Sequence, residues 1–154
     1  MPIENPKYTP VSQPHHGFQS FAAFYPFYLG EHSLPTTRRL HLVGTTIALL
    51  ASARAVASLV PCVILVVRDM LQSSALEAGT LHRIIEQALI RTVAWRLDGP
   101  LRMVMGGVIS AYAFAWIAHF FVENNKPATF TYPVWSLGGD LKLWWEVVTL
   151  QRGY

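Results

Sequence analysis

Two long apolar runs, Leu42 to Val67 and Met103 to Val122, dominate the pattern of hydrophobic and polar positions along the chain. Each is long enough to cross a bilayer as a helix, which takes roughly 20 apolar residues. The second run, MVMGGVISAYAFAWIAHFFV, carries no formal charge. Its small residues Gly106, Gly107, Ser110, Ala111, Ala115 and Ala118 let a neighbouring helix approach closely. The first run carries Arg54 near its middle, where an unpaired charge costs about 3 kcal/mol. Three arrangements accommodate it: Arg54 faces a polar interior, the span is shorter and tilted, or the helix breaks at Pro61.

The flanking stretches predict helices of a different kind. Phe18 to Leu29 reads FQSFAAFYPFYL, with more aromatic bulk than one helix stripe needs, and predicts an interfacial helix ending near Gly30. Pro26 allows a kink or an early end. Ser33 suits an N-cap and Pro35 the first turn of the next helix, with Arg38 and Arg39 placed to snorkel towards the surface. In the mixed-charge stretch from Arg68 to Arg102, Leu81, Ile84, Ile85, Ala88, Leu89 and Thr92 recur at helical spacing, which predicts an amphipathic helix. Asp98-Gly99-Pro100 has the chemistry of a turn that ends it. After a linker from Asn124 to Pro133, the segment Val134 to Leu150 combines Trp135, Trp144 and Trp145 with Asp140, Lys142 and Glu146, as a surface-lying amphipathic helix does.

These elements make an all-α fold: an integral membrane helical hairpin or small bundle with flanking interfacial amphipathic helices. Residues 1–17, rich in proline and polar groups, read as a flexible N-terminal arm, and 18–154 as a single membrane-embedded domain. Met1 to Gln19 holds no apolar core stretch and is neither a secretory signal nor a transit peptide.

Composition strengthens the membrane reading. Hydrophobic residues make up 52% of the chain and charged residues 14%, against about 25% charged in ordinary globular proteins. The net charge of +3 comes from Lys and Arg spread along the chain, with no run able to track a phosphate backbone, so nucleic acid is not an expected partner. The same even spread leaves membrane orientation open. Cys62 is the lone cysteine, which excludes an intramolecular disulfide and a thiolate cluster.

Hairpin topology carries the chemical inference. The start of the first span and the end of the second lie on one side of the bilayer, so His41 and His119 share a face, with His32 and Glu123 adjoining them. His119 and Glu123 are four residues apart and project from one side of a helix. His32 and His41 are nine apart, but Pro35 interrupts and lets His32 fold back. Imidazoles with a carboxylate suit a divalent transition metal, and a facial set with open positions suits non-haem Fe(II). Plainer readings stand beside this one. Interfacial histidines often serve only as amphipathic anchors, and Glu123 can pair with Lys126. His15 and His16 read as solvated, and His82, beside Arg83, as exposed.

The blocks FYPFYLGEHSLPTTRRLHLVGT (Phe24 to Thr45) and AYAFAWIAHFFVENNKPATFTYPVWSLGGDLKLWW (Ala111 to Trp145) hold all four of these residues. Together they cover a little over a third of the chain, and they resemble the membrane-bound 2-hydroxy-fatty-acid dioxygenases of fatty-acid alpha-oxidation. The family pattern pairs two early histidines with a later Gly-His-x-x-x-Glu-Lys-x-x-Pro-Ala block. Here the early pair is His32 and His41, and the later block reads Ala118-His119, Glu123 and Pro127-Ala128. Ala118 stands in place of the usual glycine and Asn124 in place of the usual basic residue. The stretch 68–102 looks like an insertion.

The resemblance implies an Fe(II)-dependent enzyme that uses dioxygen to shorten a 2-hydroxy fatty acid by one carbon. His32, His41 and His119 would be metal ligands, and Glu123 a fourth ligand or the group orienting His119. Arg38 or Arg39 would hold the substrate carboxylate, whose geometry a guanidinium fork matches. The acyl tail would lie in the bilayer, that of the endoplasmic reticulum in a eukaryote or the inner membrane in a bacterium. The rival from another class is a non-catalytic lipid-shaping or scaffold protein with interfacial histidines. Haem held by two histidines is a third reading.

Overall fold

The computed structural model describes residues 11–73 and 80–153. Its order is α1 (Phe21–Gly30), α2 (Pro35–Ser73), α3 (Thr80–Ile117), a π-helical turn (Ala118–Glu123), a 3-10 turn (Ala128–Phe130) and α4 (Pro133–Val148). No strand occurs among the described residues, in agreement with the all-α expectation. Pro35–Pro61 of α2, and Leu97–Glu123 from α3 through the π-helical turn, are each 27 residues long and apolar enough to cross a membrane. Contacts divide the chain into two compact units, Met1–Ile47 with Ile109–Tyr154, and Ala48–Val108.

The first unit is built on aromatic packing. Ser20 caps α1, its hydroxyl accepting the Ala23 N–H at 3.2 Å. Pro26 sits inside α1 without ending it. Its missing N–H leaves one carbonyl, that of exposed Ala22, to the solvent side. The expected aromatic helix is therefore present, and three of its five rings are buried against protein. Phe24, Tyr25 and Tyr28 are buried with Phe18, Ala128, Leu143 and Val147 in one core. Phe24 lies 5.4 Å from Tyr132 and 5.6 Å from Trp135, centroid to centroid. Their bulk fills the space between α1 and the face of α4 formed by Ser136, Gly139, Leu143 and Val147, which recur at helical spacing. At residues 11–17, His15 and His16 are exposed as expected, while Gln13 donates to the Tyr132 hydroxyl at 3.0 Å.

Small residues set the closest approaches. A Cβ on Gly139 would stand 2.6 Å from the Tyr28 ring. Gly139→Ala therefore forces that buried ring to move, and we expect a loss of about 1–3 kcal/mol of stability, read as a lower thermal midpoint. An unchanged midpoint would show that α1 and α4 are not packed this tightly. Gly44 of α2 meets the Ala111 backbone of α3 at a would-be Cβ distance of 3.0 Å, as small-residue helix packing requires. Along α2 and α4, His41 bonds Asp140 and Thr46 bonds Trp144, so the two helices pair in the same chain order.

In the second unit Gly107 plays the same part against Ala48 and Ala51, whereas Gly106 faces open space. Leu50, Val56, Val60, Val63, Ile64, Leu101 and Met105 are all exposed. Arg54 is exposed too, so it does not face a polar interior, and α2 continues through Pro61 without a break. Asp98-Gly99-Pro100 does not end a helix either. Pro100 lies inside α3, which runs from Thr80 to Ile117. One proline removes a single helical hydrogen bond and one carbonyl's space, and the long helix around it outweighs that local preference. The side chains of His82 and of the expected stripe Leu81, Ile84, Ile85, Ala88, Leu89 and Thr92 lie outside the described residues.

Candidate metal centre

Three segments deliver the candidate ligands. His32 comes from the turn after α1, His41 from the second turn of α2, and His119 from the π-helical turn that follows α3. A π turn, closed by i→i+5 bonds, is rare and marks functional sites disproportionately. It ends at the His119 carbonyl, which accepts the N–H of both Asn124 and Asn125. Asn124 takes the left-handed conformation there (φ 54°), one that asparagine tolerates better than most residues. This is the position where the resembling pattern has a basic residue.

The three rings meet edge to face. Ring centroids lie 4.3 Å apart for His32 and His41, 4.7 Å for His32 and His119, and 5.1 Å for His41 and His119. One nitrogen from each ring lies within 4.8 Å of the other two. All three side chains are buried, at 1%, 6% and 2% exposure in chain order. No porphyrin plane fits between rings this close, so the haem reading does not suit this cluster.

Each Nδ1 is tied away from the centre. His32 Nδ1 lies 2.6 Å from the Tyr28 carbonyl, His41 Nδ1 2.7 Å from Asp140 Oδ1, and His119 Nδ1 2.7 Å from Asn125 Oδ1. A carbonyl and a carboxylate can only accept, so the first two Nδ1 atoms carry the proton. Asn125 turns its NH2 towards the Glu31 carbonyl and carboxylate, both at 3.0 Å, which leaves its oxygen to accept from His119. In all three rings, therefore, Nδ1–H points to its outer acceptor and leaves Nε2 on the opposite edge of the ring. Metal-binding histidines show this pattern, the outer acceptor fixing both the tautomer and the ring orientation.

Two further observations fit a metal. His32 Nε2 and His41 Nε2 are buried with no hydrogen-bond partner among the described residues, a costly state for polar atoms without a ligand. Burial, and then the neighbouring His41 and His119 rings, push His32 well below its ordinary pKa. It is thus a neutral imidazole at physiological pH, the form that binds metal.

The other expected site residues fall around this centre in different roles. Glu123 was expected beside the histidines as a ligand or as the group orienting His119. Its Oε1 instead accepts the Leu34 N–H at 2.7 Å and its Oε2 the Ser33 hydroxyl at 3.2 Å. From 89 residues away it does for α2 what a capping-box glutamate does for its own helix. Ser33, expected as the N-cap, donates its hydroxyl to Glu123 and accepts no helix N–H among the described residues, while Pro35 opens the helix as expected. Arg38 is fully buried, donating from Nε to the His32 carbonyl at 2.7 Å and from Nη2 to the Ser33 carbonyl at 2.5 Å. Glu123 and Arg38 together pin the turn that presents His32. Arg39 is exposed.

Asp140, Asn125 and Tyr28 were not anticipated from sequence. Asp140 Oδ1 also accepts the Tyr28 hydroxyl at 2.5 Å, and the Tyr28 ring stacks on His32 at 4.0 Å. Burial first, then the Asp140 charge, push the Tyr28 hydroxyl well above its ordinary pKa, so it remains a donor. Burial and the nearby Glu123 carboxylate likewise raise Glu31.

Fold and site define an all-helical protein with a buried three-histidine centre able to hold a transition metal. Residues 18–152 match the family described as 2-hydroxy-palmitic acid dioxygenase Mpo1-like, and the chain belongs to that family. The match runs through the stretch 68–102 as well as the two motif blocks. No curated protein and no solved structure matches the chain.

Proposed function

We propose that this chain is an Fe(II)-dependent membrane enzyme that uses dioxygen to shorten 2-hydroxy fatty acids by one carbon. One observation carries the reading: three buried imidazoles from three separate segments bring one ring nitrogen each within 4.8 Å of the others. The family's name supplies the substrate class and the reaction. Iron, when bound, would supply the redox chemistry that activates dioxygen. His32, His41 and His119 would hold it, and Asp140, Asn125 and the Tyr28 carbonyl would keep the rings aimed. Glu123 acts on the site by capping α2 and so fixing the His32 turn. Arg38, buried beside His32, adds a fixed positive charge that favours an anionic substrate head, a role its exposed neighbour Arg39 does not share.

The same reading places the substrate tail in lipid. Exposed leucine, valine and methionine side chains on α2 and α3, with Trp116, Phe120 and Phe121 exposed around His119, suit hydrocarbon and its aromatic boundary. Arg54 lies about 29 Å of helical rise beyond Pro35, close to the roughly 30 Å of a hydrocarbon core. A span entered at Pro35 therefore brings Arg54 to the far boundary, where it can snorkel. In a eukaryote the bilayer would be that of the endoplasmic reticulum, and in a bacterium the inner membrane.

The test is anaerobic reconstitution with Fe(II), followed by 2-hydroxyhexadecanoic acid and O2. The expected product is pentadecanoic acid, detected by mass spectrometry and absent without iron. Iron-loaded protein that yields no shortened acid would overturn the proposal.

A further inference from the structure

Two buried hydroxyls close to the triad have no structural employment. Thr37 Oγ1 and Ser136 Oγ are buried and bond nothing among the described residues, with side chains 0% and 3% exposed. An unsatisfied buried hydroxyl costs about 1–3 kcal/mol, and apolar residues fill such positions at no comparable cost.

Their positions are informative. Thr37 lies one turn before His41 on α2, and Thr37, His41 and Thr45 all belong to one buried face. Ser136 lies one turn before Asp140 on the buried face of α4. His41 bonds Asp140, and Thr46 bonds Trp144 in the same chain order. Thr37 and Ser136 therefore flank the His41–Asp140 pair at the same end, from two facing helices. That is also the end of α2 where the turn carrying His32 enters. Two unpartnered hydroxyl donors thus lie one helical turn from His41 and from its partner Asp140, and His32 and His41 each hold an unpartnered ring nitrogen.

We propose that Thr37 and Ser136 form the polar subsite for the carboxylate of the 2-hydroxy acid, their hydroxyls donating to its oxygens beside the triad. The proposal rests on the dioxygenase reading above. Two donors from separate helices match an acceptor with two oxygens, and the buried Arg38 next to Thr37 favours an anion. Asp140 Oδ1 is already engaged by His41 and Tyr28, and neither hydroxyl bonds Asp140.

The test uses the full chain in nanodiscs, loaded anaerobically with Co(II), and measures the binding of 2-hydroxyhexadecanoic acid by calorimetry. Co(II) affinity is measured in parallel. Thr37→Val and Ser136→Ala are each expected to weaken binding of the acid by about tenfold or more, with Co(II) affinity within twofold of wild type. Thr37→Ser, which keeps the hydroxyl, is expected to retain the wild-type affinity. Neither truncation is expected to lower the thermal midpoint of the metal-free protein, because each removes an unsatisfied group; this reports on folding independently. Variants that bind the acid as wild type does overturn the proposal and leave the dioxygenase reading intact. A Co(II)-loaded wild type that does not bind the acid overturns both.

Discussion

Replacing His119 by alanine is expected to abolish stoichiometric metal binding, with affinity falling by more than about 100-fold. The loss of an outer hydrogen-bond partner alone costs about 10–100-fold, and here a direct donor goes. Among the described residues the surrounding carboxylates are engaged elsewhere, Glu123 on the Leu34 N–H and the Ser33 hydroxyl, Asp140 on His41 and Tyr28, and Glu31 on Asn125. Two imidazoles would remain at a centre that needs three facial ligands to keep sites open for substrate and dioxygen. The measurement is equilibrium dialysis against Fe(II) or Co(II), with thermal melting to confirm the fold. The same experiment decides between the metal centre and the view of the histidines as interfacial anchors. An anchor keeps its ring at the water boundary, whereas these rings are 1–6% exposed. A His119→Ala protein that binds metal as wild type does would sink the metal centre and favour the anchor.

How much of this was legible in sequence depends on the separation of the partners. The hairpin was, because two apolar runs of spanning length leave few other ways to fold. It alone brings His41 and His119 to one side, and Pro35 lets His32 join them. What is decided by packing between distant segments was not legible. Asp140 reaches His41 across 99 residues, and Glu123 reaches Leu34 across 89. No periodicity in the chain announces either contact. The spacing of His119 and Glu123 suggested a shared helix face, but the π turn and the demand of the α2 N-terminus for an acceptor assign them to different tasks. Asn125 carries a signal that the sequence does contain. An Asn-Asn pair directly after a helical run marks a left-handed cap, and such a cap brings the next side chain back towards the last turn, where His119 lies.

Local propensity also lost to context in both directions. Asp98-Gly99-Pro100 has turn chemistry but lies within a 38-residue helix, where the hydrogen bonds on either side outweigh one missing donor. The aromatics of α1 match the composition of a headgroup belt, yet Gly138 and Gly139 open a groove in α4 that accepts Phe21 and Tyr28. Burial of those rings against protein then fixes the backbone carbonyl that orients His32.

The second large effect concerns a residue that touches no metal. Asp140 fixes the His41 tautomer and receives the Tyr28 hydroxyl, so Asp140→Ala frees the His41 ring and leaves a buried phenol unpaired. We expect metal affinity to fall by about 10–100-fold. Asp140→Asn separates the two ways in which the carboxylate can act. Its amide oxygen can still accept Nδ1–H and preserve the tautomer, but it carries no charge to push electron density through the ring towards Nε2. If Asp140 serves only to orient, the asparagine variant regains wild-type affinity; if its charge matters, the variant stays about tenfold weak, in the lower part of that range. The electrostatic outcome is the expected one, because the pair is shielded from solvent at 5% and 23% side-chain exposure and charge is poorly screened there. Co(II) absorption provides a readout independent of turnover: the band positions report ligand-field strength, which a change of charge shifts and a purely structural defect at constant coordination does not. Wild-type metal affinity in Asp140→Ala would mean that His41 is held by its helix alone.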